Sequence, residues 1–525
     1  MPKLKPLYRI SAVISKVYSA TVQGISPVLV EVEVSSILAE TFSIAIVGLP
    51  DAAVREARER LRPALRNSAL QEPLGLVTVN LAPADIRKEG PSFDLAIAVA
   101  TLAATDQISS SYLDDYLFAG ELALNGAVRP IHGALSMALC ARESGKKGIF
   151  LPAENALEGA LVSGIEVYPV ESLAQLVAFL RGETILEPMK ESFQDLLNGR
   201  PETTLDFADV KGQESVKRAL EIAAAGAHNL IMVGPPGTGK SMLARRLPSI
   251  LPPMTLEEAL EVTQIHSIMG LLKPGQHILT ERPFRAPHHT ASNVGLLGGG
   301  STPTPGEITL AHHGVLFLDE LPEFKRTALE TLRQPLEDGF VTISRASGTL
   351  VFPSELMLIA AMNPSPDGKM PQESRSSPRQ IQCYLGRISG PLLDRIDLHI
   401  EVPTVPFRYI SSNQEPAESS AEIRKRVIAA RQRQIERFKQ SPNIRSNARM
   451  GSRELKNFCN LNADCLNLLK MAMSELHLSA RAYDRIRKVA RTIADLDNSD
   501  EIQTHHIMEA SQYRNLDRQV WSFIS

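Results

Sequence analysis

Apolar and polar positions alternate from Val28 to Val34 (V-L-V-E-V-E-V), a period of two that predicts a strand with one buried face. Phe42 to Val47 predicts a second strand, closed by Gly48-Leu-Pro50. Asp51 then stands as N-cap of an Ala-, Arg- and Glu-rich helix running through Asn67. Gly75 to Leu81 predicts a further strand, and Phe93 to Thr105 a helix apolar on every side, hence buried. Residues 1–186 therefore read as an α+β domain of their own. Residues 187–207 are polar, with two prolines and a glycine, and read as a linker with one helical turn. From 208 to 406, short apolar runs alternate with helical ones, the signature of a parallel α/β sheet. Residues 407–420 read as a second linker, and 421–525 are helical in pattern almost throughout. The expected fold class is α/β: a P-loop core with a C-terminal helical lid, preceded by the α+β domain.

Composition narrows the function classes. A formal net charge of −3 gives no global field for nucleic acid, so any DNA contact must come from a local patch or a channel lining. Cys140, Cys383, Cys459 and Cys465 are scattered without a C-x-x-C pair, which argues against a disulfide framework or a thiolate zinc site. The longest apolar stretch, Leu95 to Ala104, is roughly half of what a membrane helix needs. The first residues, MPKLKPLYRI, lack the apolar core of a signal peptide. The expected location is the cytoplasm, without membrane contact.

The chemistry starts at Leu230-Ile-Met-Val233, a buried strand that runs into Gly234-Pro235-Pro236-Gly237-Thr238-Gly239-Lys240-Ser241 and then a helix. This is G-x-x-x-x-G-K-[ST] in the context its chemistry requires. Glycines let backbone N–H groups turn inward around phosphate oxygens, and the helix N-terminus adds its positive end. Lys240 is expected on the β- and γ-phosphates of ATP, and the Ser241 hydroxyl on Mg²⁺. A second buried strand, Val315 to Leu318, ends in Asp319-Glu320, at the end of a parallel strand that faces a ligand crevice. Asp319 is the expected second holder of the Mg²⁺ shell and Glu320 the expected general base on the attacking water. A third strand, Leu356 to Ala361, leads to Asn363, whose amide suits sensing of the γ-phosphate or orientation of the water.

Two arginines complete a pattern that needs a partner subunit. Arg395, in Gly390-Pro-Leu-Leu-Asp394-Arg395-Ile-Asp397 ahead of a short strand Leu398–Val402, is the candidate finger that reaches a neighbour's phosphoryl group. Arg481 opens a helix capped by Ser479 and is the candidate that touches the γ-phosphate from the lid. Singly, each would ordinarily be a surface arginine.

Taken together, GPPGTGKS, VLFLDE, AAMNPSP, ISGPLLDRIDLHIEVP and SARAYDRIRKVARTIADL resemble the AAA+ superfamily, in its magnesium-chelatase-like branch, and look like the ComM/YifB competence proteins across the whole chain. That resemblance implies Arg395 as arginine finger and Arg481 as sensor-2 arginine. It also implies a hexameric ring ATPase and a DNA helicase or translocase promoting branch migration in natural transformation. Single-stranded or branched DNA and recombination proteins are then the implied partners. Phe284 to Gly300 is long and glycine-rich, as a mobile loop would be, and Gly339 to Phe352 predicts a β-hairpin turning at Arg345–Gly348. In the superfamily both project into the ring channel, which makes Arg345 a candidate phosphate contact, with Arg285, Arg282, His288 and His289 as weaker candidates behind it. His288 and His289 have no matching third ligand for a metal. Relatives often carry a cysteine cluster after the sensor asparagine, but Asn363-Pro-Ser365-Pro-Asp367-Gly368 here does not.

Residues 1–186 resemble the Lon protease domain. Lys88-Glu-Gly-Pro-Ser92 matches the segment of the nucleophilic serine, and Gly120 to Gly133 the segment leading to its lysine. The lysine position falls at or beside Leu135, and a serine without its base is a poor nucleophile. The expectation is a Lon-like fold without proteolysis, serving as scaffold, ring-assembly element or DNA contact. Three other readings stand beside the DNA motor: a chelatase-type motor subunit, an ATP-dependent protease, and an ATP-switched DNA-binding scaffold. The absent lysine counts against the protease, and the full hydrolytic set counts against a mere switch.

Overall fold

The computed structural model describes residues 13–37, 39, 43–189, 205–273, 275–300, 303–345, 348–405, 417–441, 444–476 and 478–521. Most of both expected linkers (190–204 and 406–416) and the hairpin turn residues 346–347 lie outside the described residues. The chain divides into two compact units: residues 1–200 with 259–279, and residues 201–258 with 280–525.

In the first unit, β1 (Val13–Gln23), β2 (Ser26–Ile37), β3 (Ser43–Val47) and β4 (Leu76–Ala82) share one sheet with β5 (Tyr116–Phe118). Glu121–Leu122 (β6) and Val128–Arg129 (β7) form a separate ribbon, while β8 (Gly148–Pro152) and β9 (Glu166–Val170) complete the sheet. Its order is β3-β4-β2-β1-β5-β8-β9. β2 lies antiparallel between β1 and β4, whereas β1, β5, β8 and β9 run parallel. The alternation in β2 resolves as expected: Val30, Val32 and Val34 are fully buried, and the residues between them are not.

Helix α1 (Ala52–Asn67) begins where Asp51 accepts a hydrogen bond from the Val54 amide at 2.8 Å. Helix α2 (Asp94–Ala104) is buried along its whole length, because it has no polar face to offer water. Its one charged residue, Asp94, is neutralised by Arg60, whose guanidinium donates to both carboxylate oxygens at 2.7 and 3.0 Å.

One boundary differs from the sequence reading, which counted residues 259–279 with the P-loop core. They belong to the first unit. Of the helix Leu256–Ile268, Ser267 accepts from the Gly133 amide at 3.0 Å and donates to the buried Glu158, which also accepts from the Leu135 amide at 3.0 Å. Gln264 donates to the Ile25 carbonyl at 2.9 Å.

The second unit is built on a parallel sheet of β10 (Leu230–Val233), β11 (Phe284–Arg285), β14 (Val315–Leu318), β17 (Met357–Met362) and β18 (Leu398–Glu401). Between these strands lie two antiparallel ribbons, β12 (Gly298–Gly299) with β13 (Thr304–Pro305), and β15 (Phe340–Arg345) with β16 (Gly348–Pro353). The sheet order is β11-β14-β17-β10-β18. β10, β14 and β17 are buried at every position, as strands covered on both faces must be. The C-terminal helices, among them Ser420–Arg437 and Ala480–Leu496, join the same apolar core as the sheet.

The stretch 284–300 is more ordered than a loop. Phe284–Arg285 pairs with β14 as the edge strand, and Ser292 caps a short helix, Asn293–Leu297, through the Gly295 amide at 3.1 Å. Pattern alone did not announce these, because a two-residue strand carries no period.

Candidate nucleotide site

The registers of β10, β14 and β17 bring their carboxyl ends to one edge of the sheet: Leu318 pairs with Ala360, and Val233 with Met362. The residues that follow each strand, Gly234, Asp319 and Asn363, therefore open into one crevice. The Gly234 amide donates to the Met362 carbonyl at 3.2 Å, which fixes the start of the loop against β17.

Gly237 and Gly239 sit at φ of 79° and 86°, in the left-handed region that side chains avoid. A Cβ at Gly237 would have no heavy atom within 4 Å, so the loop presents bare backbone there. Lys240 starts the helix Lys240–Ile250, and its ammonium donates to the Gly234 and Pro235 carbonyls at 2.7 and 2.8 Å and to Asn363 Oδ1 at 3.3 Å. The ammonium thus lies inside the curl of its own loop, beside the sensor amide. Burial holds Lys240 below the usual lysine range, with the charge of Asp319 pulling the other way. Thr238 Oγ1 donates to the Pro235 carbonyl at 3.0 Å, and Gln213 holds the Thr238 carbonyl at 2.8 Å. Pro236 packs beside Gly368, where a Cβ would come within 2.6 Å of its ring.

Ser241 Oγ donates to Asp319 Oδ2 at 2.6 Å. A hydroxyl and a carboxylate at that spacing are the hard oxygen donors that a hydrated Mg²⁺ takes, and the pair fits it. Glu320 follows at φ 52°, its amide donating to Asp319 Oδ1 at 2.9 Å. Its carboxylate is largely exposed and lies 3.3 Å from His289 Nδ1. A cleft of about 390 Å³ adjoins it, lined by Glu320, Glu323, Asn363, Tyr384 and Arg387 among others.

Three of these neighbours were missed from sequence. His289 was weighed as a weak phosphate contact and as a metal ligand, not as a neighbour of Glu320. Tyr384 donates to the Asn363 carbonyl at 3.3 Å, and burial, with Glu323 adding, pushes its hydroxyl up to about 12. Arg387 bonds the Pro322 carbonyl and Glu323 at 2.9 and 3.0 Å. The only sequence signal for Arg387 was its place in the G-R-I-S-G stretch ahead of Arg395.

The two ring arginines stand apart from this cluster. Arg395 donates to the Arg333 and Pro391 carbonyls at 3.1 and 2.7 Å and pairs with Glu337. Arg481 is exposed and lies 3.6 Å from Asp394, the residue before Arg395. Among the described residues neither contacts the phosphate loop, Asp319 or Glu320.

The DNA-contact candidates separate into two groups. Arg345, at the end of the β15–β16 hairpin, is exposed and makes no ion pair among the described residues. A Cβ on Gly299 would come within 3.2 Å of its guanidinium, so hairpin and ribbon meet at this point. Arg285 and Arg282 are both paired within the chain. Arg285 forks onto Glu307 at 2.7 and 2.8 Å. Arg282 bonds Glu258 at 2.8 Å and the Pro252, Pro253 and His313 carbonyls, and its side chain is 13% exposed. Both guanidiniums are engaged within the chain, which leaves them little for a phosphate.

In the first unit Ser92 is buried, as is Leu135 at the position of a Lon-type lysine. The nearby Lys88 is also buried, its ammonium held by the Pro83 and Ile86 carbonyls. Neither Ser92 nor Lys88 is presented to solvent as a nucleophile or base.

Comparison with known proteins bears on this arrangement. Three family models match: magnesium chelatase, subunit ChlI, over residues 206–410; subunit ChlI of Mg-chelatase over 30–155; and the ChlI C-terminal part over 417–514. The competence protein ComM of Haemophilus influenzae is 46% identical over 507 residues, covering 96% of this chain and 97% of its own. The protein YifB of Salmonella typhimurium is 46% identical over 493 residues, covering 94% and 95%. Lon protease 2 of Bacillus subtilis is 30% identical over 181 residues, 32% of this chain and 30% of its own.

Proposed function

Because the chain belongs to the ComM/YifB family of magnesium-chelatase-like AAA+ proteins, we propose that it is an ATP-hydrolysing motor that assembles as a hexameric ring and acts on DNA. The observation that carries the hydrolytic half is the convergence of Lys240, Ser241, Asp319 and Asn363 at the ends of three adjacent strands, with Glu320 beside them. The loop amides and Lys240 bind the β- and γ-phosphates, and Ser241 and Asp319 hold Mg²⁺, which neutralises phosphate charge when bound. Glu320 takes the proton of the attacking water, and His289 at 3.3 Å orients its carboxylate. Asn363 reads the γ-phosphate while tethered to Lys240. Arg395 acts across the subunit boundary and Arg481 from the lid.

Support for DNA as the substrate comes from the competence designation of the Haemophilus influenzae relative and from Arg345, exposed and without an ion pair among the described residues. Contacts of that type grip the backbone without reading sequence and weaken with salt. Branch migration of recombination intermediates during natural transformation is the work such a ring would do. The first unit, with Ser92 and Leu135 both buried, serves as a non-proteolytic scaffold.

The test is the steady-state ATPase rate with and without single-stranded and four-way-junction DNA, with Glu320→Gln as the blank. We expect stimulation by DNA and none in the blank. Hydrolysis indifferent to either DNA would overturn the DNA reading and favour a chelatase-type motor driven by another partner. Turnover surviving in Glu320→Gln would remove Glu320 as the base.

A further inference from the structure

The second unit holds a second concentration of charge, at the opposite edge of the sheet from the phosphate loop. A cavity with an inner volume of about 70 Å³ opens beside Gly314 and Met357, at the amino ends of β14 and β17. By the same measure one water needs roughly 10–15 Å³, so the space suits a small polyatomic group. Four arginines line it, Arg282, Arg431, Arg445 and Arg449, against two carboxylates, Glu258 and Glu355.

Two of the four take up Glu258, while Glu355 lies 3.9 Å from His313. Glu258 bonds Arg282 at 2.8 Å and lies 3.8 Å from Arg445. Arg431 and Arg449 form no ion pair among the described residues. Among the described residues Arg431 donates to the Ala225 and Ala224 carbonyls, at 3.1 and 3.0 Å, and Arg449 to the Leu336 carbonyl, at 3.4 Å. Burial, with the neighbouring charge of Arg282, pushes the Arg431 guanidinium down to about 10, and burial also lowers Arg449. Two half-buried guanidiniums, with no carboxylate within ion-pair distance among the described residues, are an arrangement that an anion joining them would stabilise.

We infer that this cavity is a binding site for a tetrahedral dianion, inorganic phosphate, separate from the nucleotide loop. The excess of two positive charges matches a dianion, and guanidinium forks match the edges of a phosphate. The lining has no phenylalanine, tyrosine or tryptophan to receive a base, which favours the free ion over a nucleotide. Arg431, Arg445 and Arg449 come from the C-terminal helical part, whereas Arg282 precedes β11 of the sheet. A bound phosphate therefore ties the two parts together, and the product of ATP hydrolysis becomes a ligand of the motor that makes it.

The experiment titrates inorganic phosphate into the full chain by calorimetry, with ADP and Mg²⁺ saturating the nucleotide loop. We expect one phosphate bound per chain. Arg449→Gln, and separately Arg431→Lys, which keeps the charge but loses the fork, should weaken it about tenfold or more. Lys240→Ala, titrated without nucleotide, should retain it. Sulfate should compete and nitrate should not. Three results would overturn the inference: no binding beside ADP, unchanged affinity in both arginine variants, or loss of binding in Lys240→Ala alone. Circular dichroism of each variant separates lost binding from lost fold. If Arg431→Lys fails to fold, Arg449→Gln decides.

Discussion

Asp397 shows how a single buried charge joins two parts of the second unit. It is almost completely buried and accepts from the Asn229 amide at 3.2 Å and from His228 Nδ1 at 3.1 Å, while Arg485 of the helix Ala480–Leu496 pairs with its other oxygen. Burial works against its ionisation, but Arg485 and His228 outweigh burial and hold the carboxyl well below the usual range. A folded-state value below the unfolded one, about 3.9, means that the stabilisation is complete above about pH 4 and fades as pH falls towards the folded value. Asp397→Asn should therefore destabilise the unit by roughly 3–5 kcal/mol at pH 7, since it leaves Arg485 buried without its counter-charge. Urea denaturation at pH 7, 4 and 3 checks the sign: below about pH 4 the gap to wild type should narrow by about 1.4 kcal/mol per pH unit. A gap that stays constant down to pH 3 would mean that the carboxylate charge is not what stabilises this contact.

At the scale of elements, what the chain announced and what it hid follow from one distinction. A buried strand or helix shows itself by its own residues. β2 was legible from its alternation and α2 from its unbroken apolarity, and the phosphate loop, Asp319 and Asn363 were legible because each follows a strand that could be recognised. A pairing between distant residues has no such local signal. Arg282 meets Glu258 from 24 positions away and Arg285 meets Glu307 from 22, so both stood as phosphate candidates, though behind Arg345. Likewise nothing local to Ser267 says that it would find Glu158, 109 positions away in the first unit. Because α2 is packed on all sides, it also yields a prediction at this scale. Ile97 is 1% exposed, and Ile97→Ala should cost about 2–5 kcal/mol through lost burial and the cavity left behind. Thermal unfolding should show that loss while nucleotide binding by the folded protein is retained. A change under 1 kcal/mol would mean that the helix collapses around the gap.

For the molecule as a whole, the residues proposed for catalysis are not all gathered within one chain. Lys240, Ser241, Asp319, Glu320 and Asn363 gather in one crevice, but Arg395 is held by Arg333, Pro391 and Glu337 and reaches none of them. Two explanations compete: a structural arginine, or a finger that acts on the next subunit's nucleotide. They differ in what Arg395→Ala should do. A structural arginine would take thermal stability and assembly with it. A finger would leave melting, ring mass and ATP affinity near wild type while turnover falls by about 10³ or more. We expect the second, and mixed rings sharpen the distinction. Arg395→Ala subunits keep Lys240, and Lys240→Ala subunits keep Arg395, so a junction of the two carries one intact site. Mixing the two inactive variants should restore part of the ATPase rate, which sedimentation can match to rings of both subunits. If mixed rings form and stay inactive, Arg395 does not act across the junction, and its contacts with Glu337 and the two carbonyls are its whole role.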